Sequence, residues 1–136
     1  MLERTIPAPI SSPHPPTAFS PPRGACDAHC HVFGPAARFP FATGRAYTPP
    51  DSGIGLFERL QNRLGLSRAV FVQASCHGTD NLAMVDALRR GRGRYAGVAM
   101  IDESISTSEI AKLHDVGVRG TRFNFVAHLG GAPDLD

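Results

Sequence analysis

The chain has 136 residues, of which 42% are hydrophobic and 19% are charged. This composition is typical of a globular protein and excludes a wholly disordered chain. The length allows one small domain or a part of a larger one. A formal net charge of +2 does not indicate a nucleic-acid partner, and no apolar run approaches the ~18 residues of a membrane-spanning helix. We therefore expect neither nucleic acid nor membrane as a partner.

The cysteines indicate the cellular compartment. There are three, Cys26, Cys30 and Cys76, and an odd number without CxxC spacing argues against a disulfide framework and against a closed zinc site. The first residues also lack the basic start and the apolar run of a secretory signal. These features predict a cytoplasmic protein, and they leave its oligomeric state open.

Residues 1–23 are predicted to form a flexible tail, and residues 24–136 the folded part of the chain. Prolines concentrate in the tail, where they remove backbone donors and favour extended geometry. A ligand for a proline-recognising domain is the alternative interpretation of such a segment. Seven of the twelve prolines lie there: Pro7, Pro9, Pro13, Pro15, Pro16, Pro21 and Pro22.

The folded part opens with a strand, a long loop and a helix. Residues 25–32 are typical of a strand and are followed by the breaker Gly34-Pro35. Residues 34–53 are rich in proline and glycine, and loops of this length in compact domains tend to be functional. A helix is predicted over 54–64, with Gly65 as its stop, because apolar residues recur there at helical spacing: Leu56, Phe57, Leu60 and Leu64.

A second strand and helix follow. The continuous apolar run of residues 69–72 predicts a strand buried on both faces, which is typical of a parallel sheet. Asp80 is predicted to cap the next helix, which ends at Gly91.

The remaining elements repeat this alternation. Residues 95–101 are predicted to form a third strand. Ser106 and Glu109 have the spacing of a capping box and open a third helix, which Gly117 closes. Residues 118–125 are predicted to form a fourth strand.

The order β-α-β-α-β-α-β predicts a parallel α/β sheet with right-handed crossovers. The sequence contains no glycine-rich nucleotide-binding motif, and four strands with three helices are half of a (β/α)8 barrel. Since a barrel of this type needs about 250 residues, we expect a fragment that covers roughly its first four βα units.

The first strand carries a candidate catalytic pair. Side chains alternate along a strand, so Asp27, His29 and His31 are predicted to share one face, with Ala28 and Cys30 on the other. Two imidazoles two residues apart can converge on one metal ion or on one oxyanion. A structural role is the alternative.

Polar residues also follow the second predicted strand. Ser75 or His77 is placed to hydrogen-bond a substrate, whereas turn formation and helix capping are the alternative roles for this segment. Cys76 would be a nucleophile only if His77 lowered its pKa. Adjacent residues on an extended segment point apart, which favours a buried, inert thiol.

The fourth predicted strand ends in further candidates. Gly120, Arg122 and Asn124 are predicted to share a face, and an Arg directed into a barrel mouth suits a carboxylate. A salt bridge within the protein is the alternative. Arg119 is predicted to lie outside, and His128, on the following loop, can reach the mouth or remain solvated.

Three segments together resemble the amidohydrolase-related family close to 2-pyrone-4,6-dicarboxylate lactonase. They are residues 27–34 (DAHCHVFG), 75–81 (SCHGTDN) and 122–126 (RFNFV), within a resemblance that covers about residues 24–131. The His-x-His pair alone marks only the broad amidohydrolase superfamily. Its combination with the other two segments is more specific.

The resemblance implies a TIM (β/α)8 barrel that hydrolyses a small carboxylated lactone in aromatic-compound catabolism without a cofactor. It implies that His29 and His31 are catalytic and help to stabilise an oxyanion, while a later Asp activates water. It also implies substrate-binding roles for Tyr47, Ser75 and Arg122. His128 stands where the family has a second Arg, and we take it as a further substrate-binding residue.

Two alternatives remain at this point. One is a metal-dependent hydrolase or decarboxylase relative, in which His29 and His31 bind a divalent metal such as zinc or manganese. The other is a non-catalytic remnant that binds a partner. The expected partner of the main interpretation is a small carboxylated substrate.

Overall fold

The computed structural model describes residues 4–10 and 18–124. Its strands are Arg4–Thr5 (β1), Cys26–Cys30 (β2), Tyr47–Thr48 (β3), Arg68–Val72 (β4), Tyr95–Ala99 (β5) and Val118–Thr121 (β6). Its helices are Ile54–Leu64 (α1), Leu82–Gly91 (α2) and Thr107–Asp115 (α3), with a short 3-10 helix over Ser75–His77. Within these ranges no helix combines the length and the apolar character needed to cross a membrane.

Four strands form one parallel sheet in the order β2-β4-β5-β6. One helix lies between each pair of consecutive strands of this sheet. The predicted parallel α/β arrangement is therefore confirmed. A second, two-stranded parallel sheet joins β1 to β3, and the sequence analysis did not predict this pairing.

The core lies between the sheet and the helices. Phe71 of β4 is fully buried and packs its ring 4.8 Å from that of Phe57 on α1 and 5.1 Å from that of Tyr95 on β5. The Tyr95 hydroxyl donates to Oε1 of buried Gln61 at 2.7 Å, and the Gln61 amide donates to the Arg68 carbonyl. The buried polar groups of this core are thus paired, as burial requires.

The helix ends follow the predicted signals. The helix over 54–64 is confirmed, and so is the capping box of α3, in which the Ser106 hydroxyl and the Glu109 carboxylate each accept from the other's backbone N–H. The prediction for α2 was wrong by one residue, because Asn81 is its N-cap. Asp80, one position earlier, still accepts a hydrogen bond from the Leu82 N–H at 3.0 Å.

Three strands, β2, β5 and β6, are shorter than predicted, whereas β4 begins one residue earlier than predicted, at Arg68. A side chain explains the end of β5. The Asn81 amide donates to the Met100 carbonyl at 2.8 Å, and its oxygen accepts from the Met100 N–H at 3.1 Å. These bonds take the ladder positions that follow Ala99, so β5 ends there. The Arg122 N–H still donates to the Ala99 carbonyl at 2.8 Å. Because β5 ends at Ala99, the described residues after Arg122 have no strand of this sheet to pair with. Phe125 lies outside the described residues.

Two glycines provide a test of this packing. A Cβ on Gly97 of β5 would lie 2.8 Å from Leu88 Cδ1 and 3.2 Å from Met84 Sδ, both on α2. We expect Gly97→Ala to destabilise the chain by about 1–3 kcal/mol, the usual cost of overpacking a core. Urea unfolding followed by circular dichroism measures this.

Gly55 is the matched control, because a Cβ there would meet nothing within 4 Å and the residue lies within α1. Gly55→Ala should stabilise the chain by up to about 1 kcal/mol, since alanine favours a helix. Equal effects of the two substitutions would contradict the described contact between β5 and α2.

Candidate active site

The candidate residues gather at the carboxyl-terminal edge of the four-stranded sheet. His29 and His31 lie at the end of β2, Ser75 follows β4, and Arg122 follows β6. Because all four strands are parallel, their carboxyl ends share one edge, which is where α/β proteins bind ligands.

The two histidine rings of the pair are in contact. Their centroids are 5.2 Å apart in an edge-to-face arrangement, which confirms that they lie on the same side of the strand. The register shifts between Asp27 and Cys30, so strict alternation does not hold along β2. The Asp27 carboxylate accepts a hydrogen bond from the His29 N–H at 3.1 Å, and the Cys30 thiol donates to the Val70 carbonyl.

The environment of His31 favours the neutral imidazole. Burial lowers its pKa most strongly, and the nearby His29 and Arg122 lower it further, against a hydrogen bond that acts in the opposite direction. That hydrogen bond joins Nδ1 to the Val72 carbonyl at 2.7 Å. A carbonyl oxygen can only accept, so Nδ1 carries the proton, and the neutral ring has a lone pair on Nε2.

His31 approaches the end of β4 from the side of β2, and Arg122 approaches it from the opposite side, where β5 and β6 lie. The Nη1 of Arg122 donates to the Gln73 carbonyl at 3.1 Å, and its charge is near enough to lower the pKa of His31. The ion pairs found in residues 4–10 and 18–124 join other residues, so the predicted alternative, an internal salt bridge to Arg122, is not found in that part of the chain. A guanidinium held by one carbonyl retains donors for a carboxylate.

Tyr47 and Ser75 come together at the same edge. Burial raises the pKa of the half-buried Tyr47 hydroxyl, and contacts with Ser75 and Cys76 also act on it. Burial raises the pKa of the Cys76 thiol to about 11, while Tyr47 has a smaller effect in the opposite direction. The thiol therefore stays protonated at neutral pH, which supports the interpretation of Cys76 as buried and inert.

His77 has a different role from the substrate contact that we considered. The residue is 2% exposed, and both of its ring nitrogens are hydrogen-bonded to backbone groups of the loop that follows β2. It is therefore not available to a substrate, and only Ser75 of the two candidates remains. Arg119 lies outside, as predicted, and donates to the His114 carbonyl. His128 lies outside the described residues.

Sequence reasoning missed the side chains that support this edge. Gln73 is 2% exposed, and its amide donates to the Gly78 and Asp80 carbonyls, while Asn81 holds Met100. The available signals were the position of Gln73 directly after the apolar strand β4 and the position of Asn81 directly before α2. Among the described residues, no group of three or more His, Cys, Asp or Glu side chains is arranged to hold a metal ion.

Comparison with known proteins identifies relatives for this arrangement. Residues 26–136 match the amidohydrolase family. A 2-pyrone-4,6-dicarboxylate hydrolase of Comamonas testosteroni is 55% identical over 111 residues, which are 82% of this chain and 36% of the relative. A 4-sulfomuconolactone hydrolase of Rhizobium radiobacter is 43% identical over 122 residues, which are 89% of this chain and 41% of the relative.

A solved structure shows the same fold. It is a probable 2-pyrone-4,6-dicarboxylic acid hydrolase from Acinetobacter baumannii with citric acid bound, and it superposes with a TM-score of 0.68 at 26% identity. The superposition covers 74% of this chain and 38% of that one. The chain therefore spans about two fifths of the length of the relatives it matches.

The ionisation of His31 can be tested by NMR. We expect its imidazole to titrate below the ordinary value of 6.5. Because the unfolded chain then binds the proton more readily than the folded chain, the stability that His31 contributes is present above about pH 6.5 and is lost as the pH falls through the lower, folded-state pKa.

Arg122→Met should raise the pKa of His31 by removing a nearby positive charge. Arg119→Met is the matched control, since Arg119 lies on β6 but points away, to the His114 carbonyl. A His31 pKa at or above 6.5, or one that both substitutions leave unchanged, would contradict the described site.

Proposed function

This chain belongs to the amidohydrolase family, and we propose that the whole protein is a hydrolase that opens the ring of a small carboxylated lactone in aromatic-compound catabolism. The observation that carries the proposal is the placement of His31 and Arg122 on opposite sides of the end of β4. Relatives at 55% and 43% identity are named hydrolases of a pyrone dicarboxylate and of a sulfomuconolactone. Both named substrates are cyclic esters with an acidic group.

We further propose that the four parallel strands continue into a (β/α)8 barrel. Phe57 of α1 packs on Phe71. Met84 and Leu88 of α2 pack on Gly97, the register partner of Phe71. These two helices therefore cover the same face of the sheet, and the opposite face is proposed to line the barrel interior. In this arrangement residues 24–136 supply the first half of the barrel, and residues 1–23 precede it. The remaining catalytic groups that the family resemblance implies, a further His and an Asp, then belong to later strands.

Arg122 is proposed to hold a carboxylate of the substrate. Its guanidinium is half-buried and is fixed by the Gln73 carbonyl, so little side-chain entropy remains to be lost on binding. Tyr47 and Ser75 are proposed to provide hydroxyl donors to the same substrate, and His128 is proposed as a further contact. The citric acid bound to the A. baumannii relative supports a site for carboxylates in this family.

The histidine pair is proposed to act on the lactone carbonyl and on water. His29 donates to the oxyanion that forms when water attacks the carbonyl carbon, while the Asp of a later strand takes the proton from that water. The ring C–O bond then breaks, and the leaving oxygen takes the proton from the Asp to become a hydroxyl group. The new carboxylic acid releases its proton to solvent and becomes a carboxylate. His31, neutral with a lone pair on Nε2, accepts a hydrogen bond from the attacking water, which changes the oxyanion role first expected for it.

A metal-dependent relative is the second candidate, because the lone pair on His31 Nε2 also suits a divalent cation. His29 and His31 would then supply two ligands to zinc or manganese, and the cation would activate water. The other ligands would come from residues outside the described part. Metal analysis of the purified whole protein, with turnover measured before and after chelation, distinguishes the two candidates.

Turnover of 2-pyrone-4,6-dicarboxylate and of 4-sulfomuconolactone by the whole protein tests the proposal. We expect hydrolysis of at least one of them, and we expect Arg122→Met to lower kcat/KM about 10-fold to 100-fold, since a hydrogen bond to a charged group contributes about 1.5–3 kcal/mol. His31→Ala should lower kcat.

Arg119→Met should leave both constants unchanged, because Arg119 contacts the carbonyls of His114 and Val118 on the outside of the sheet. Absence of turnover on both lactones, or equal effects of the two Arg substitutions, would refute the proposed function.

A further inference from the structure

We infer that His77 is a positioning residue, which fixes the loop of residues 34–42 onto the end of β4 and thereby sets Tyr47 against Ser75. The importance of the Tyr47–Ser75 pair for a substrate depends on the proposed function. The positioning itself depends only on contacts within the described residues.

His77 joins two points of this loop. Its Nε2 accepts a hydrogen bond from the Gly34 N–H at 3.3 Å, and its Nδ1 donates to the Pro40 carbonyl at 3.1 Å. The Phe41 ring lies 4.8 Å from the imidazole, centroid to centroid. Only a neutral ring with the proton on Nδ1 satisfies both bonds, because Nε2 must accept.

Gly34 is suited to this bond. Its φ of +64° lies in the left-handed region, and a Cβ at this position would collide with the Asp51 carboxylate. That carboxylate already accepts from the Ala36 N–H at 2.8 Å. A glycine is therefore needed for the backbone to turn its N–H towards His77.

The loop in turn supports Tyr47. The Ala42 N–H donates to the Cys76 carbonyl at 2.8 Å, which ties the loop to the residue beside His77. Arg45 donates from Nη1 to the Ala42 carbonyl and from Nε to Thr48 Oγ1 at 2.6 Å. Tyr47 directly precedes Thr48 in the chain, so these bonds fix the backbone on which its hydroxyl meets Ser75 and Cys76.

The tyrosines allow a direct test, because the sequence has only two, Tyr47 and Tyr95. With carbon-13 at the ring Cζ, each gives one NMR signal whose shift follows its ionisation. In the 136-residue chain we expect His77→Ala to change the Tyr47 signal and to lower the Tyr47 pKa towards the ordinary value of about 10. The Tyr95 signal should stay unchanged, because its hydroxyl is bound to Gln61 in the core.

Two further variants separate positioning from a general loss of stability. Asn81→Ala removes another buried side chain at the same edge, but one that holds Met100, and it should leave Tyr47 unchanged. His77→Gln keeps an acceptor for Gly34 and should shift Tyr47 in the same direction but less, and it carries the test if His77→Ala does not fold. A Tyr47 signal that is unchanged in the folded His77 variants, or changed equally by Asn81→Ala, would overturn the inference.

This experiment uses no substrate, so its result stands even if neither lactone is hydrolysed. In a whole protein with turnover, His77→Gln should raise KM more than it lowers kcat, since Tyr47 and Ser75 are placed as substrate contacts. A fall in kcat alone would refute the positioning of a binding pair.

Discussion

Two successive carbonyl groups hold the candidate site together, that of Val72, the last residue of β4, and that of Gln73, the residue after it. The Val72 carbonyl accepts from His31 at 2.7 Å, and the Gln73 carbonyl accepts from Arg122 at 3.1 Å. Successive carbonyls of a strand point to opposite sides, so one short stretch of backbone fixes side chains from β2 on one side and from β6 on the other. This works only because the strands are parallel and end at the same edge. The fold and the site therefore depend on the same register.

Local signals in the sequence predicted the elements well. The helix over 54–64 and the capping box of Ser106 and Glu109 follow from neighbours in the chain. The end of β5 could not be predicted in this way. The Asn81 side chain, 19 residues away in the sequence, binds the Met100 backbone in place of a neighbouring strand. Similarly, alternation placed His29 and His31 on one side, but the register shift in β2 depends on pairing with β4. Contacts distant in sequence, such as His77 with Gly34, leave no local pattern to detect.

The electrostatics of the site also come from tertiary structure. From the sequence, a histidine at position 31 is expected only to have a side-chain pKa near neutral pH. Burial and the neighbouring Arg122 lower its pKa, and the Val72 carbonyl determines which nitrogen carries the proton. In the proposed function, the Arg122 guanidinium would bind the acidic group of the substrate while the neutral imidazole of His31 faces the attacking water.

A crystal structure of the whole protein with a carboxylated lactone bound tests the central claim most directly. We expect a substrate carboxylate on the Arg122 guanidinium, with the lactone carbonyl within hydrogen-bond distance of His29 and with His31 still bonded to the Val72 carbonyl. A lactone bound elsewhere, with Arg122 contacting only the Gln73 carbonyl, would contradict the claim that the two sides of β4 act on one substrate.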